Sequence, residues 1–121
     1  MAHTLLIVDD SASMRQMVSF TLRDAGYEVI AAANGREALG KLDGTKVSMV
    51  VTDLNMPEMD GIELIRQLRN RPGYRFIPIV MLTTESQETK KQAGKQAGAS
   101  GWIVKPFQPD QLLDTVRKFV K

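Results

Sequence analysis

Four of the five short apolar runs in this 121-residue chain lead into residues that can do chemistry. Leu5–Val8 leads into Asp9 and Asp10, Met49–Thr52 into Asp53, Ile77–Leu82 into Thr83, and Gly101–Val104 into Lys105. The remaining run, Glu28–Ala32, leads into Ala33 and Asn34, as expected of an edge strand away from a site. Taken singly, an acid or hydroxyl in such a place is ordinarily a helix cap or a turn residue. Brought to one sheet edge, three carboxylates repel one another unless a proton or a cation sits among them. With oxygen donors only and no His or Cys nearby, the cation is a hard one. A few carboxylates plus water suit Mg²⁺ better than the larger ligand cage of Ca²⁺. An ammonium (Lys105) and a hydroxyl (Thr83) beside such a metal then fit an anionic phosphoryl group.

Whether these residues meet depends on the elements between them. Met14, Met17, Val18, Leu22 and Ala25 keep helical spacing until Gly26, with Ser11 or Ser13 as the cap. Arg36–Leu39 reads as a second helix, capped by Asn34 and closed by Asp43-Gly44; the Asn34-Gly35 pair alone would also suit a hairpin. Asp60–Arg69 turns Ile62, Ile65 and Leu68 inward, with Asp60 as cap, Glu63 at the capping-box position and Arg71-Pro72-Gly73 as the stop. Glu85–Ala97 is helical but has almost no large apolar side chain, which predicts weak docking and low local stability. Pro109 opens a last helix whose buried stripe is Leu112, Leu113, Val116, Phe119 and Val120. Strict alternation of strand and helix, with short links, predicts an α/β fold: a doubly wound, five-stranded parallel sheet with helices on both faces. Ligands of such sheets bind beyond the carboxyl ends of the strands, where the reactive residues stand.

Composition narrows the class. With 43% hydrophobic and 25% charged residues, the chain reads as one ordinary soluble domain, 1–121, with no output domain. The lack of cysteine excludes a disulfide scaffold, a zinc-thiolate site and a cysteine nucleophile. No apolar run approaches 18 residues, and Met1-Ala2-His3-Thr4 lacks the basic start of a secretory signal, so a cytoplasmic protein off the membrane is expected. The net charge of +2 hides a split: Met1–Glu63 carries ten acids and five bases, and Leu64–Lys121 four acids and eleven bases. Because the acids and bases are segregated along a chain whose motifs are acidic, rather than uniformly basic, no nucleic-acid partner is expected. The methionines read as core filler, His3 as an exposed terminal residue, and Arg66, Arg69, Arg71 and Arg75 as a solvated face with a turn.

Val8-Asp9-Asp10-Ser11, Asp53-Leu54-Asn55-Met56-Pro57 with Asp60-Gly61, Thr83-Thr84 and Lys105-Pro106-Phe107 together resemble the response-regulator receiver family, over the whole chain and most closely its stand-alone CheY type. The resemblance implies the strand order 2-1-3-4-5 that CheY and flavodoxin share. It implies that Asp53 accepts a phosphoryl group from a histidine kinase. Asp10, Asp53 and the carbonyl of Asn55 would hold Mg²⁺, with Asp9 acting mostly through water. Thr83 and Lys105 would bind phosphoryl oxygens, across a cis Lys105-Pro106 bond. Asn55 and Glu85 would tune dephosphorylation, and Trp102 would be the switch aromatic alongside Thr83. There the family more often has Tyr or Phe; a simple strand aromatic is the other reading of Trp102.

The chain would thus be no enzyme in the turnover sense but a monomeric phosphoacceptor that assists its own phosphorylation and dephosphorylation. Its readout would be a basic surface of the fourth helix (Lys90, Lys91, Lys95) and Trp102, taken by an acidic segment of a downstream target. Chemotaxis, with a flagellar motor switch as target, is the expected process; a phosphorelay shuttle or phosphate sink are the alternatives. Two other classes share features. A flavodoxin-like binder has the same sheet order, but Asp9-Asp10-Ser11 puts acids where a flavin phosphate needs donors. An aspartyl-phosphate phosphatase of the haloacid dehalogenase type needs a second Asp two residues after the first, and Asn55 stands there.

Overall fold

The computed structural model describes residues 3–42, 45–84 and 88–120, Glu88 by its backbone alone. Five strands alternate with five helices: β1 (Thr4–Val8), α1 (Ala12–Asp24), β2 (Glu28–Ala32), α2 (Gly35–Gly40), β3 (Met49–Asp53), α3 (Gly61–Arg69), β4 (Ile79–Thr84), α4 (Glu88–Ala97), β5 (Gly101–Lys105) and α5 (Pro109–Phe119). The strands form one parallel sheet in the order β2-β1-β3-β4-β5. Alternate side chains of each strand face opposite ways. Leu5, Ile7, Met49, Val51, Val80 and Leu82 therefore pack with Val18 and Leu22 of α1 and Leu112 and Val116 of α5. Leu6, Val8, Val50 and Met81 pack with Ala38 of α2 and Ile62, Leu64, Ile65 and Leu68 of α3. β3 is buried along its whole length, while β2, at one edge, is not.

The chain turns to opposite sides of β1 to make β2 and β3, so the topological switch point lies between β1 and β3. Asp9-Asp10 and Asp53 leave the sheet there.

Local chemistry explains the element ends. Ser11, not Ser13, caps α1, its hydroxyl accepting from Met14 N at 3.3 Å, so the helix starts before Met14. Asn34 accepts from Glu37 N at 2.8 Å and starts a helix rather than a hairpin; Asp43-Gly44 lies outside the described residues. Asp60 caps α3 through Glu63 N at 2.9 Å. Strand β4 begins at Ile79, two residues later than the apolar run suggests. Pro78 has no N–H to offer the ladder, and the Ile77 carbonyl is taken by Arg69 at 2.7 Å. The fourth helix starts at Glu88, and Glu85–Gln87 lies outside the described residues.

Two surface readings need correction. His3 is half-buried: its Nδ1 lies 3.0 Å from Ser48 Oγ and its carbonyl accepts from Glu28 N. Of the four arginines, Arg66 and Arg75 are exposed, but Arg69 turns inward onto backbone carbonyls and Arg71 donates to Leu39 O at 3.0 Å. Long aliphatic stems let these cations reach carbonyls that sequence does not mark. Met49, Met56 and Met81 are buried, and Met14, Met17 and Met59 pack against the core, as expected of filler. No helix of the described residues is long and apolar enough to cross a membrane.

Candidate functional site

Register brings the strand ends level. Val8 pairs with Thr52, so Asp9 and Asp53 leave the sheet side by side; Asp53 pairs with Leu82, and Thr84 with Lys105. Carboxylate oxygens of Asp9, Asp10 and Asp53 all lie within 4.8 Å of one another. Asp9 and Asp53 are buried and Asp10 is exposed. The expected acidic cluster is therefore one site, although its members come from two strands.

The two buried carboxylates are held by different devices. Asp9 Oδ1 accepts from Ser11 N at 2.9 Å, and the Asp9 carbonyl accepts from Arg15 Nη1 at 2.9 Å. Asp53 Oδ1 accepts from Leu54 N at 2.9 Å and from Lys105 Nζ at 2.8 Å. Lys105 Nζ is also 3.7 Å from Asp9 Oδ2, which makes no hydrogen bond. The backbone behind Asp53 is fixed by Thr52 Oγ1, which donates to the Asp53 carbonyl at 2.9 Å, and by Gly61 N, which donates to Leu54 O at 2.8 Å. Gly61 presses so closely on this turn that a Cβ would overlap the Asp53 carbonyl oxygen and come within 3.1 Å of Leu54 Cα. Arg15 and this role of Gly61 are the local features that strand-end reasoning misses. The Asp60-Gly61 pair is the only sequence signal for the second.

Burial pushes the Asp53 carboxyl above the ordinary carboxylate range, against the pull of the Lys105 ammonium; the neighbouring Asp9 charge adds to the rise. The ionised form is thus held at a cost that a cation would offset. Asp9 Oδ2 points the same way, since a buried oxygen without a hydrogen bond is an open ligand position. All donors are oxygen, which suits a hard ion with water completing its shell. Mg²⁺ therefore fits the residues present.

Thr83 is 1% exposed and its hydroxyl has no hydrogen-bond partner. It sits one residue beyond Leu82, the register partner of Asp53, with an unused donor. Asn55 follows two residues after Asp53 and is exposed; Glu85 lies outside the described residues. The Lys105-Pro106 bond is cis, as the resemblance implied. Trp102 is farther along the edge strand, 38% exposed, with Lys91 Nζ 5.7 Å from its ring centroid. A groove of about 160 Å³ runs between Lys91, Gln92, Lys95 and Trp102. Lys90 and Lys95 are exposed on α4. The structure thus gathers the acids, Thr83 and Lys105 at one pole and leaves Trp102 on the adjacent outer surface.

Comparison with known proteins agrees with this geometry. A family model described as the response regulator receiver domain matches residues 5–117. The chemotaxis protein CheY1 of Helicobacter pylori is 43% identical over 112 residues, covering 91% of this chain and 90% of that protein. The structure of Vibrio cholerae chemotaxis protein CheY4 superposes with a TM-score of 0.95 at 51% identity, covering 99% of this chain and 100% of that one. The receiver domain of the Pseudomonas aeruginosa sensor histidine kinase PA1611, solved with a magnesium ion in its active-site cleft, shares the fold. Its TM-score is 0.89 at 24% identity, covering 98% of each chain.

Proposed function

The chain belongs to the response-regulator receiver family, and from that premise we propose that Asp53 accepts a phosphoryl group from the phosphohistidine of a histidine kinase. A carboxylate oxygen of Asp53 forms the new P–O bond as the P–N bond to the imidazole breaks, and the imidazole leaves with the electron pair. The observation that carries this reading is the state of Asp53: a buried carboxylate beside two other acids, tied to one lysine at 2.8 Å.

Asp10, Asp53 and the carbonyl of Asn55 would hold Mg²⁺, with Asp9 reaching it through water, and the ion when bound would offset charge on the transferring group. The chain's own groups do the rest. Lys105 moves its ammonium from the Asp53 carboxylate to a phosphoryl oxygen. Thr83 donates its unused hydroxyl to another. Asn55 and Glu85 govern the approach of water to the acylphosphate and so its lifetime. In this sense the chain assists its own phosphorylation and dephosphorylation without being a turnover enzyme.

The phosphorylated form signals by a change of its surface to a target protein. Similarity to chemotaxis proteins supports a role in chemotaxis, and the target we propose for that role is the flagellar motor switch. Lys90, Lys91 and Lys95 with Trp102 form a basic, partly apolar surface for an acidic partner segment. Incubation with acetyl phosphate and Mg²⁺ should add one phosphoryl mass by intact mass spectrometry, and Asp53→Asn should abolish it. Equal uptake by the variant would put the acceptor elsewhere.

A further inference from the structure

Strand β2 bounds one side of the sheet, and among the described residues no strand pairs with its outer side. Glu28 N donates to His3 O and Ala32 O accepts from Asp9 N, both toward β1. Backbone groups alternate sides along a strand. Glu28, Ile30 and Ala32 therefore face β1, whereas Val29 and Ala31 turn their N–H and C=O groups outward. An outward row of this kind is a template on which another strand can add.

Both outward carbonyls are occupied, each by a cation from a different helix. Arg23, in the last turn of α1, donates from Nη2 to Val29 O at 3.3 Å. Lys41, the residue that closes α2, donates from Nζ to Ala31 O at 2.7 Å, and Glu37 Oε1 holds the same ammonium at 3.1 Å. Both hydrogen bonds are exposed, so water would serve these carbonyls nearly as well and the bonds add little stability. What they change is access to the edge.

The occupant that fits the bare edge is a second copy of β2, run antiparallel about a two-fold axis at Ile30. Val29 then stands opposite Ala31 of the other copy, and Ala31 opposite its Val29. Each pair exchanges two N–H···O bonds, four in all, and every one of the four needs an outward carbonyl. Removing one cation frees two of the four, and removing both frees all of them. Val29–Ala32 carries no charge, so two copies do not repel along this contact. Beside the edge, a groove of about 480 Å³ is lined by Arg23, Ala31 and Phe20, which is 72% exposed. A paired copy would cover that ring.

We propose that Arg23 and Lys41 are clamps that close the β2 edge to a second copy of this chain and so keep it a monomer. An edge that offers donors while its acceptors are taken cannot complete a ladder, which needs both. The proposal stands apart from the phosphoacceptor reading of Asp53, because neither cation is bonded to the site acids.

The test is sedimentation velocity of the full chain over a concentration series, with hydrogen exchange at Val29 and Ala31 to locate the contact. Wild type should stay a monomer throughout. The double variant Arg23→Ala/Lys41→Ala should associate at least tenfold more tightly than wild type, and its Val29 and Ala31 amides should exchange at least fivefold more slowly as concentration rises. Each single variant frees half the bonds and should fall between; the singles carry the test if circular dichroism shows that the double variant does not fold. The double variant also removes two charges from a net +2, which by itself favours association. Arg66→Ala/Arg75→Ala, the same loss at two exposed arginines of other elements, should therefore remain monomeric. Folded variants that stay monomeric, equal association of the Arg66/Arg75 control, or association without slowed exchange at Val29 and Ala31 overturns the proposal. So does a wild type that already pairs through this edge.

Discussion

At the carboxyl ends of the strands, Asp9 Oδ2 and Thr83 Oγ1 are buried without a hydrogen bond; at the amino ends, buried Tyr74, half-buried Arg69 and exposed Ser100 all have their polar groups paired. There Tyr74 donates to Thr45 O at 2.9 Å, Ser100 Oγ accepts from Ile79 N at 3.0 Å, and the Arg69 donors reach four carbonyls. The third such unpartnered atom among the described residues, Ser19 Oγ, lies on α1. One sheet thus carries a satisfied end and an unsatisfied end. A buried polar group without a partner costs about 1–3 kcal/mol, so a fold keeps such groups where a ligand completes them. The amino end spends its hydrogen bonds on holding loops together, and the carboxyl end leaves them open for an ion and an anion.

The largest expected effect breaks the satisfied end. Arg69→Met leaves four carbonyls to find water and removes a charged donor, so urea unfolding should show a loss of about 3 kcal/mol. Mg²⁺ should stabilise variant and wild type equally, because the acids are untouched. A loss well under 1 kcal/mol would mean that the carbonyls are served as well by solvent and that the contrast between the ends is weak.

Much of the unsatisfied end is legible in sequence, because the signal there is a polar residue placed directly after an apolar run. Asp9, Asp53, Thr83 and Lys105 all carry it, and a parallel sheet aligns them without long-range information. The edge position of β2 follows from the lack of it. The satisfied end is not legible for the converse reason. Arg69 meets Gly98, 29 residues away, through a backbone carbonyl, and carbonyls are the same in every residue. Nor does anything near Asp9 announce that Arg15 binds its carbonyl, since helical periodicity leaves Arg15 on a polar face. Boundaries slip for local reasons, as when Pro78 delays β4 and Ser11 advances α1.

A smaller effect of opposite sign is expected at the unsatisfied end. In EDTA, Asp53→Asn keeps the acceptor for Leu54 N but removes a charge that burial and Asp9 disfavour, so the variant should be about 1 kcal/mol more stable than wild type at pH 7. The folded-state pKa of Asp53 is raised, so wild type loses this stability as pH rises from the ordinary carboxylate value through the folded one. The advantage of the variant should therefore vanish on acidification below that window. Saturating Mg²⁺ should reverse the order, since binding at about 100 times the dissociation constant stabilises wild type by roughly 2.7 kcal/mol. A variant less stable than wild type in EDTA would show that the Lys105 pair outweighs burial.

The smallest effect comes from Glu37, on the first turn of α2 just beyond the β2 end, and it should run opposite to Asp53. Its carboxylate lies 3.1 Å from Lys41 Nζ with both side chains well exposed, and that hydrogen bond holds its pKa below the usual value. A lowered pKa gives stability that is present above the unfolded value and lost as pH falls through the folded one. Because the pair is solvated and spans one helical turn, the contribution should be about 0.3 kcal/mol. Glu37→Gln should lower the urea midpoint slightly at pH 7, by an amount that shrinks in high salt and disappears in acid. The two carboxylates at one pole then titrate with opposite signs: Asp53 destabilises the fold when ionised, and Glu37 stabilises it. If Glu37→Gln instead raised stability at pH 7, acidity across the whole pole, rather than burial of the site acids, would be the source of the strain that the cation relieves.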